Sequence, residues 1–173
     1  MTLIRIARTT PAIDGDDWTH VAAGEALPDA PAILPLARWL AQREALMGRN
    51  APLGVRLRSD ERIDAILGDL PRLALVALDF PNMADGRHFT TARLLRERHG
   101  FTGEIRATGR VLRDQLHFMA RCGFDSFELA PGKDADEALA AFGEIRVAYQ
   151  PAADSHLPAS ANRAWTTPGS AAA

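Results

Sequence analysis

The chain has 173 residues, 47% of them apolar and 24% charged, with a net charge of −2. That length suits one domain with a self-sufficient core, and that charge gives no electrostatic basis for binding nucleic acid or an anionic membrane. The single cysteine excludes an intrachain disulfide and a four-thiolate iron–sulfur cluster, and no apolar run approaches the ~18 residues of a membrane span. The N-terminus lacks the long apolar core of a signal peptide, so a cytoplasmic location is expected. Nineteen of the twenty basic residues are arginine. Coding bias would account for this, and so would a site built for bidentate binding of oxyanions.

Residues 1–30 read as an N-terminal extension with a small β-element. Leu3, Ile4 and Ile6 begin a strand, Asp14 to Asp17 signal a turn, and Trp18 anchors a hairpin partner. An α/β domain is expected over residues 31–150. Pro35 opens a helix with Leu36, Trp39, Leu40, Leu46 and Met47 on one face. Leu53, Val55 and Leu57 alternate with Arg56 and Arg58, the pattern of a strand near a sheet edge. Ser59 is suited to cap a helix carrying Ile63, Ile66, Leu67 and Leu70, which Pro71 stops. Leu73 to Leu78 is unbroken apolar sequence and suits a central parallel strand covered by helices on both faces.

A helix with Ala92, Leu94 and Leu95 then ends at Gly100. Ile105 and Ala107 mark the next strand. A helix from Arg110 to Gly123 places Arg110, Arg113, Asp114, His117 and Arg121 opposite Leu112, Leu116, Met119 and Ala120. Phe124, Phe127 and Leu129 continue into a strand. Asp134 with Glu137 resembles a capping box for a helix through Phe142, and Ile145 to Tyr149 reads as a last strand. Residues 151–173, rich in Ala, Pro and Ser, read as a disordered tail. The alternation predicts a single-domain α/β fold whose mainly parallel sheet is built from βαβ units, either open or half-barrel-like. The chain is short of the ~250 residues of an eight-fold barrel.

Ligands of parallel sheets bind beyond the C-terminal strand ends. That edge is expected to carry Arg58, Ser59, Asp60, Asp79, the Asp85-Gly86-Arg87-His88 loop, Thr108, Gly109, Arg110 and Asp114. Arg87 and Arg110 are the candidate anion clamps, assisted by helix N-termini. Arg110 has a second reading, as the i,i+4 partner of Asp114 on a solvated face. Asp79, Asp85, His88 and Asp114 are the acid–base candidates. His117 reads as solvated, and Cys122, at a helix C-terminus, as a half-buried structural thiol. No nucleotide fingerprint, nucleophile elbow or metal-ligand set is present, so neither cofactor nor metal is expected.

Several runs carry a family resemblance. They are Asp85-Gly-Arg87, Ala92-Arg-Leu-Leu-Arg-Glu-Arg98, Gly103-Glu-Ile-Arg-Ala107, Val111-Leu-Arg-Asp-Gln-Leu116 and Arg121-Cys-Gly-Phe-Asp-Ser-Phe-Glu-Leu129, with Pro35 to Leu40 and Gly54 to Leu57 before them. Together, over about residues 30–150, they resemble a bacterial uncharacterised family labelled as oxidoreductases of sulfite reduction. Genes of that family commonly lie beside those for assimilatory sulfite reductase and phosphoadenylylsulfate reductase. Phe89 stands where tyrosine is frequent in that family. The resemblance implies a place in cytoplasmic sulfate assimilation but supplies no catalytic residues. Its partner would be sulfite reductase or another enzyme of that pathway. One reading is an accessory protein that binds or assists sulfite reductase. The other is a small enzyme or carrier acting on a sulfur oxyanion at the C-terminal strand edge.

Overall fold

The computed structural model describes residues 2–7, 10–82, 84–145, 148–154 and 158–159. Eight strands form one sheet: β1 (Thr2–Ala7), β2 (Thr10–Asp14), β3 (Thr19–His20), β4 (Ala32–Pro35), β5 (Leu53–Arg58), β6 (Leu75–Phe80), β7 (Glu104–Gly109) and β8 (Ser126–Leu129). Helices α1 (Leu36–Leu46), α2 (Arg87–Glu97), α3 (Arg113–Arg121) and α4 (Ala135–Glu144) and a 3-10 segment (Ile63–Arg72) connect or follow them. The strand order is β2-β1-β8-β7-β6-β5-β4-β3. Strands β3 to β8 are parallel and sequential, whereas β1 runs antiparallel to both β8 and β2. The sheet is therefore mixed rather than purely parallel.

Sequential order has a geometric consequence. Right-handed crossovers between successive neighbours all fall on one side of the sheet. Trp39 of α1, Ile66 of the 3-10 segment, Leu95 of α2 and Leu116 and Met119 of α3 share one core with Val55, Leu57, Val76, Leu78, Ile105 and Phe127. The other face of β6 offers Leu75 and Ala77, which pack with Ile33 and Trp18 instead. Strand β6 is central and parallel to both neighbours, as its apolar run predicts. The expectation of helices on both of its faces is corrected, because Trp18 takes the place of a second helical layer.

The sheet also curls. In a flat sheet β3 and β8 would stand five spacings apart, about 24 Å. Yet His20 Nε2 on β3 lies 2.7 Å from Glu128 Oε1 on β8. The result is a half-barrel whose concave face combines the Trp18–Ile33–Leu75–Ala77 cluster with the polar groups of Arg106, Glu128 and His20. This curvature explains a second correction. Strand β5, expected near an edge, lies between β4 and β6. Its alternate arginines point to the concave side, away from the core that Val55 and Leu57 enter.

Three further boundaries differ from the sequence pattern. The segment after β5 is a 3-10 helix that begins at Ile63, without a side-chain cap. Ser59 lies in the preceding turn, where Arg58 N donates to Glu61 Oε2 at 2.8 Å. Helix α3 begins at Arg113, so Arg110 lies in the loop before it. On α1, Leu36, Trp39 and Leu46 are buried, but Leu40 and Met47 are exposed. Among the described residues of the expected last strand, Ile145 closes α4 and no strand forms. Other signals hold. Gly100 and Gly123 follow their helices at φ 61° and 103°. Asp134 caps α4 by accepting from the backbone N–H groups of Asp136 and Glu137. Of the expected tail, Ala153 N donates to Arg121 O and Asp154 pairs with Arg121; residues 155–157 and 160–173 lie outside the described residues.

Candidate functional site

The C-terminal ends of β5, β6 and β7 form one rim. Asp79 leaves β6 on the concave side, half-buried, with Thr108 Oγ1 of β7 at 3.5 Å. Gly109 sits against it at φ 84°, and a Cβ there would lie 2.5 Å from Asp79 Oδ1 and 2.6 Å from Phe80 O. Only glycine allows this approach of strand end to strand end. The backbone N–H of Arg110 donates to Phe80 O at 2.8 Å and fixes the next loop.

Outside that rim, the loop before α2 folds on itself. Arg87 Nε donates to Asp85 Oδ1 at 2.9 Å and Nη2 to Asp85 Oδ2 at 2.6 Å. Nη2 also reaches Ser59 Oγ at 3.2 Å. The Arg87 bonds first, and the neighbouring Ser59 hydroxyl second, hold the Asp85 carboxyl well below the usual carboxylate range. Asp85 is therefore an anionic anchor for Arg87 rather than a proton donor near neutral pH. Arg87, expected to clamp an anion, already holds one.

His88 follows in the first turn of α2 and is only 1% exposed. Its ring meets Phe80 edge-on, with centroids 5.6 Å apart. Neither ring nitrogen has a hydrogen bond of good geometry. Burial pushes its pKa below the ordinary histidine value, outweighing the nearby Asp85 carboxylate, the Leu57 backbone and Asp79, all of which favour the charged form. The neutral form is thus the native one. Its contribution to stability is present above the unfolded-state pKa of about 6.5 and is lost as pH falls below it. Urea titrations at pH 7.5 and 5 are expected to show a larger loss for the wild type than for His88→Leu. Equal losses would remove His88 as the source.

The concave face carries a network that no sequence motif announces. Arg106, in the middle of β7, is fully buried. Its Nε donates to Glu104 at 2.9 Å and its Nη1 to Asp16 at 2.8 and 3.0 Å and to Glu128 at 3.1 Å. Burial opposes the charge, but the Glu104 and Asp16 carboxylates outweigh it and hold the guanidinium pKa above its ordinary value. Ser126 donates to Glu104, which Arg5 also approaches at 3.4 Å. His20 completes the chain at Glu128. The only trace in the sequence is the alternation of Glu104, Arg106 and Thr108, which is equally the pattern of a solvated strand face.

A family model for a bacterial protein of unknown function, DUF934, matches residues 54–160. The chain belongs to DUF934. No curated protein matches it. The matched span contains all six candidates read from the sequence, Asp79, Asp85, Arg87, His88, Arg110 and Asp114. It also contains Glu104, Arg106 and Glu128, whereas Asp16 and His20 lie outside it.

In this DUF934 chain the six candidates do not form one site. Asp79, Asp85, Arg87 and His88 gather at the ends of β5 and β6. The Arg110 side chain is exposed and, among the described residues, has neither hydrogen-bond nor ion-pair partner, so the pairing with Asp114 does not form. Asp114 is exposed in the first turn of α3. Arg87 instead lines a groove of about 380 Å³ between the 3-10 segment and α2, with Ser59, Ile63, Leu67, Leu94 and Arg98. Arg110 is not part of it. Beyond α2, the exposed ring of Phe118 lies 5.1 Å from Phe89, which in turn packs on Phe80 at 5.4 Å. A phenylalanine suits position 89 because it sits between two rings. Cys122 is buried at the end of α3, and burial raises its thiol pKa, as expected of a structural cysteine. Among the described residues, no cluster of three or more His, Cys, Asp or Glu could hold a metal ion, and no helix is long and apolar enough to cross a membrane.

Proposed function

We propose that this DUF934 chain is an accessory protein of assimilatory sulfate and sulfite reduction that binds or assists sulfite reductase in the cytoplasm. The pathway rests on the resemblance carried by residues 30–150. The accessory role is supported by one observation above the others: Arg87, the rim cation best placed to hold an oxyanion, is already chelated by Asp85. A ligand would have to displace an internal carboxylate held by two hydrogen bonds. The open groove beside Arg87 and the exposed apolar side chains of Leu94 and Phe118 suit a protein surface better than an enclosed reaction chamber.

The second reading, a small enzyme or carrier acting on a sulfur oxyanion, retains support from Arg110 at the same edge, whose guanidinium has no partner among the described residues. Gel filtration and calorimetry with purified sulfite reductase separate the two. A complex is expected, weakened by Leu94→Asp and unaffected by Arg110→Ala. If the enzyme neither binds this chain nor changes its turnover in its presence, the accessory role is wrong.

A further inference from the structure

The concave face carries an arrangement that the rim does not explain. Glu128 is 5% exposed, and its Oε1 receives both Arg106 Nη1 at 3.1 Å and the His20 ring at 2.7 Å. A carboxylate accepts, so His20 Nε2 carries the hydrogen, and in the neutral imidazole Nδ1 then offers its lone pair. His20 is part-exposed, with 28% of its side chain accessible, and among the described residues its Nδ1 has no partner. The imidazole is therefore held from behind and open in front. Its support, Arg106, is itself fixed by Glu104 and Asp16. Buried ion pairs contribute little net stability compared with apolar packing. A charged network of this kind inside a small half-barrel is better explained by what it positions.

Arg56 shares this face. Val55 and Leu57 enter the helical core, so Arg56 points to the opposite side. It is partly buried and, among the described residues, its guanidinium has no hydrogen-bond or ion-pair partner. In register it flanks Ala77, with Arg106 on the other side. It lies two strands from His20 and two residues farther along the sheet, about 12 Å between backbones, a gap that the long Arg56 side chain can bridge around one small ligand.

We propose that the mouth of the half-barrel binds a small, partly protonated oxyacid, with Arg56 gripping its ionised oxygens and His20 Nδ1 accepting a hydrogen bond from its hydroxyl. Glu128 and Arg106 are positioning residues, because they act through His20. The site uses neither Arg87 nor Arg110 and does not rest on the accessory role, so a failed sulfite reductase complex and a failed oxyacid titration are separate results.

The probe is inorganic phosphate near pH 7, which carries both ionised oxygens and a hydroxyl, titrated into ¹⁵N-labelled full-length protein against chloride at equal ionic strength. Phosphate is expected to shift the His20 ring nitrogens and Arg56 Nε together and saturably. Arg56→Gln should weaken binding about 10- to 100-fold, the loss of one or more charged hydrogen bonds. Arg56→Lys, which keeps the charge but not the fork, should fall between. Glu128→Gln should alter the tautomer pattern of the His20 nitrogens, a change that loss of packing alone would not produce. Arg87→Gln should leave binding unchanged. Absence of saturable shifts at His20 and Arg56, or equal weakening by Arg87→Gln, overturns the proposal.

Discussion

Replacing Arg106 with methionine is expected to lower stability by about 3–5 kcal/mol, the usual cost of removing one partner from a buried charge cluster. Three carboxylates, those of Glu104, Asp16 and Glu128, converge on the guanidinium. Without it the three repel one another, and the buried Glu128 carboxylate loses its cation. Methionine fills much of the volume, so the loss reads electrostatics rather than a cavity. For a chain of this size the loss corresponds to a fall in Tm of roughly 6–20 °C. Neutralising two of the acids with Glu104→Gln and Glu128→Gln in the same background should recover part of it. The contrast is Arg93→Ala, which breaks an exposed i,i+4 pair with Glu97 and should cost no more than about 0.5 kcal/mol. An Arg106→Met protein that melts with the wild type would show that the network contributes nothing to stability.

Gly109→Ala should destabilise by about 2–4 kcal/mol, from left-handed backbone strain plus displaced packing. The added Cβ would fall at 2.5 Å from Asp79 Oδ1 and 2.6 Å from Phe80 O. One of those atoms is backbone and cannot swing away, so the end of β6 must move. Gly132→Ala is the control. It has a similar φ of 80° but nothing within 4 Å of the new Cβ. It should lose only the left-handed term, roughly 1–2 kcal/mol. Thermal melts of the two variants give the steric part by difference. Equal losses would mean that β6 and β7 do not meet as closely as described.

How far the fold could be read depended on the range of the signal. Leu73 to Leu78 identifies a central strand because apolar continuity is local information. Gly100, Gly123 and Asp134 mark helix ends for the same reason. The 3-10 segment was not legible, because its apolar spacing over Ile63 to Leu70 resembles that of an α-helix. The polar periodicity sets the start of α3 three residues before Arg113, since Arg110 continues that pattern although its backbone still belongs to the loop. The candidate site was legible only in part. Asp79, Asp85 and His88 follow strand ends and were visible from the alternation of elements. The bond between His20 and Glu128 joins residues 108 positions apart and depends on curvature, which no window of sequence contains. Arg106 was missed because an alternating strand looks the same whether its polar face meets water or a buried carboxylate.

Strand β1 pairs with β8, Thr2 opposite Leu129. Every parallel neighbour within β3 to β8 is also next in sequence, so these strands can pair in the order in which they are made. The amino-terminal ribbon cannot join them. It must wait for the last strand, roughly 6–25 s later at ordinary rates of synthesis. Through that interval Leu3, Ile4 and Ile6 lack their final edge, and Arg106 lacks Asp16. The β1–β2 ribbon is made before β3 to β8 yet docks after them, which makes it the stretch most in need of protection from pairing with other chains.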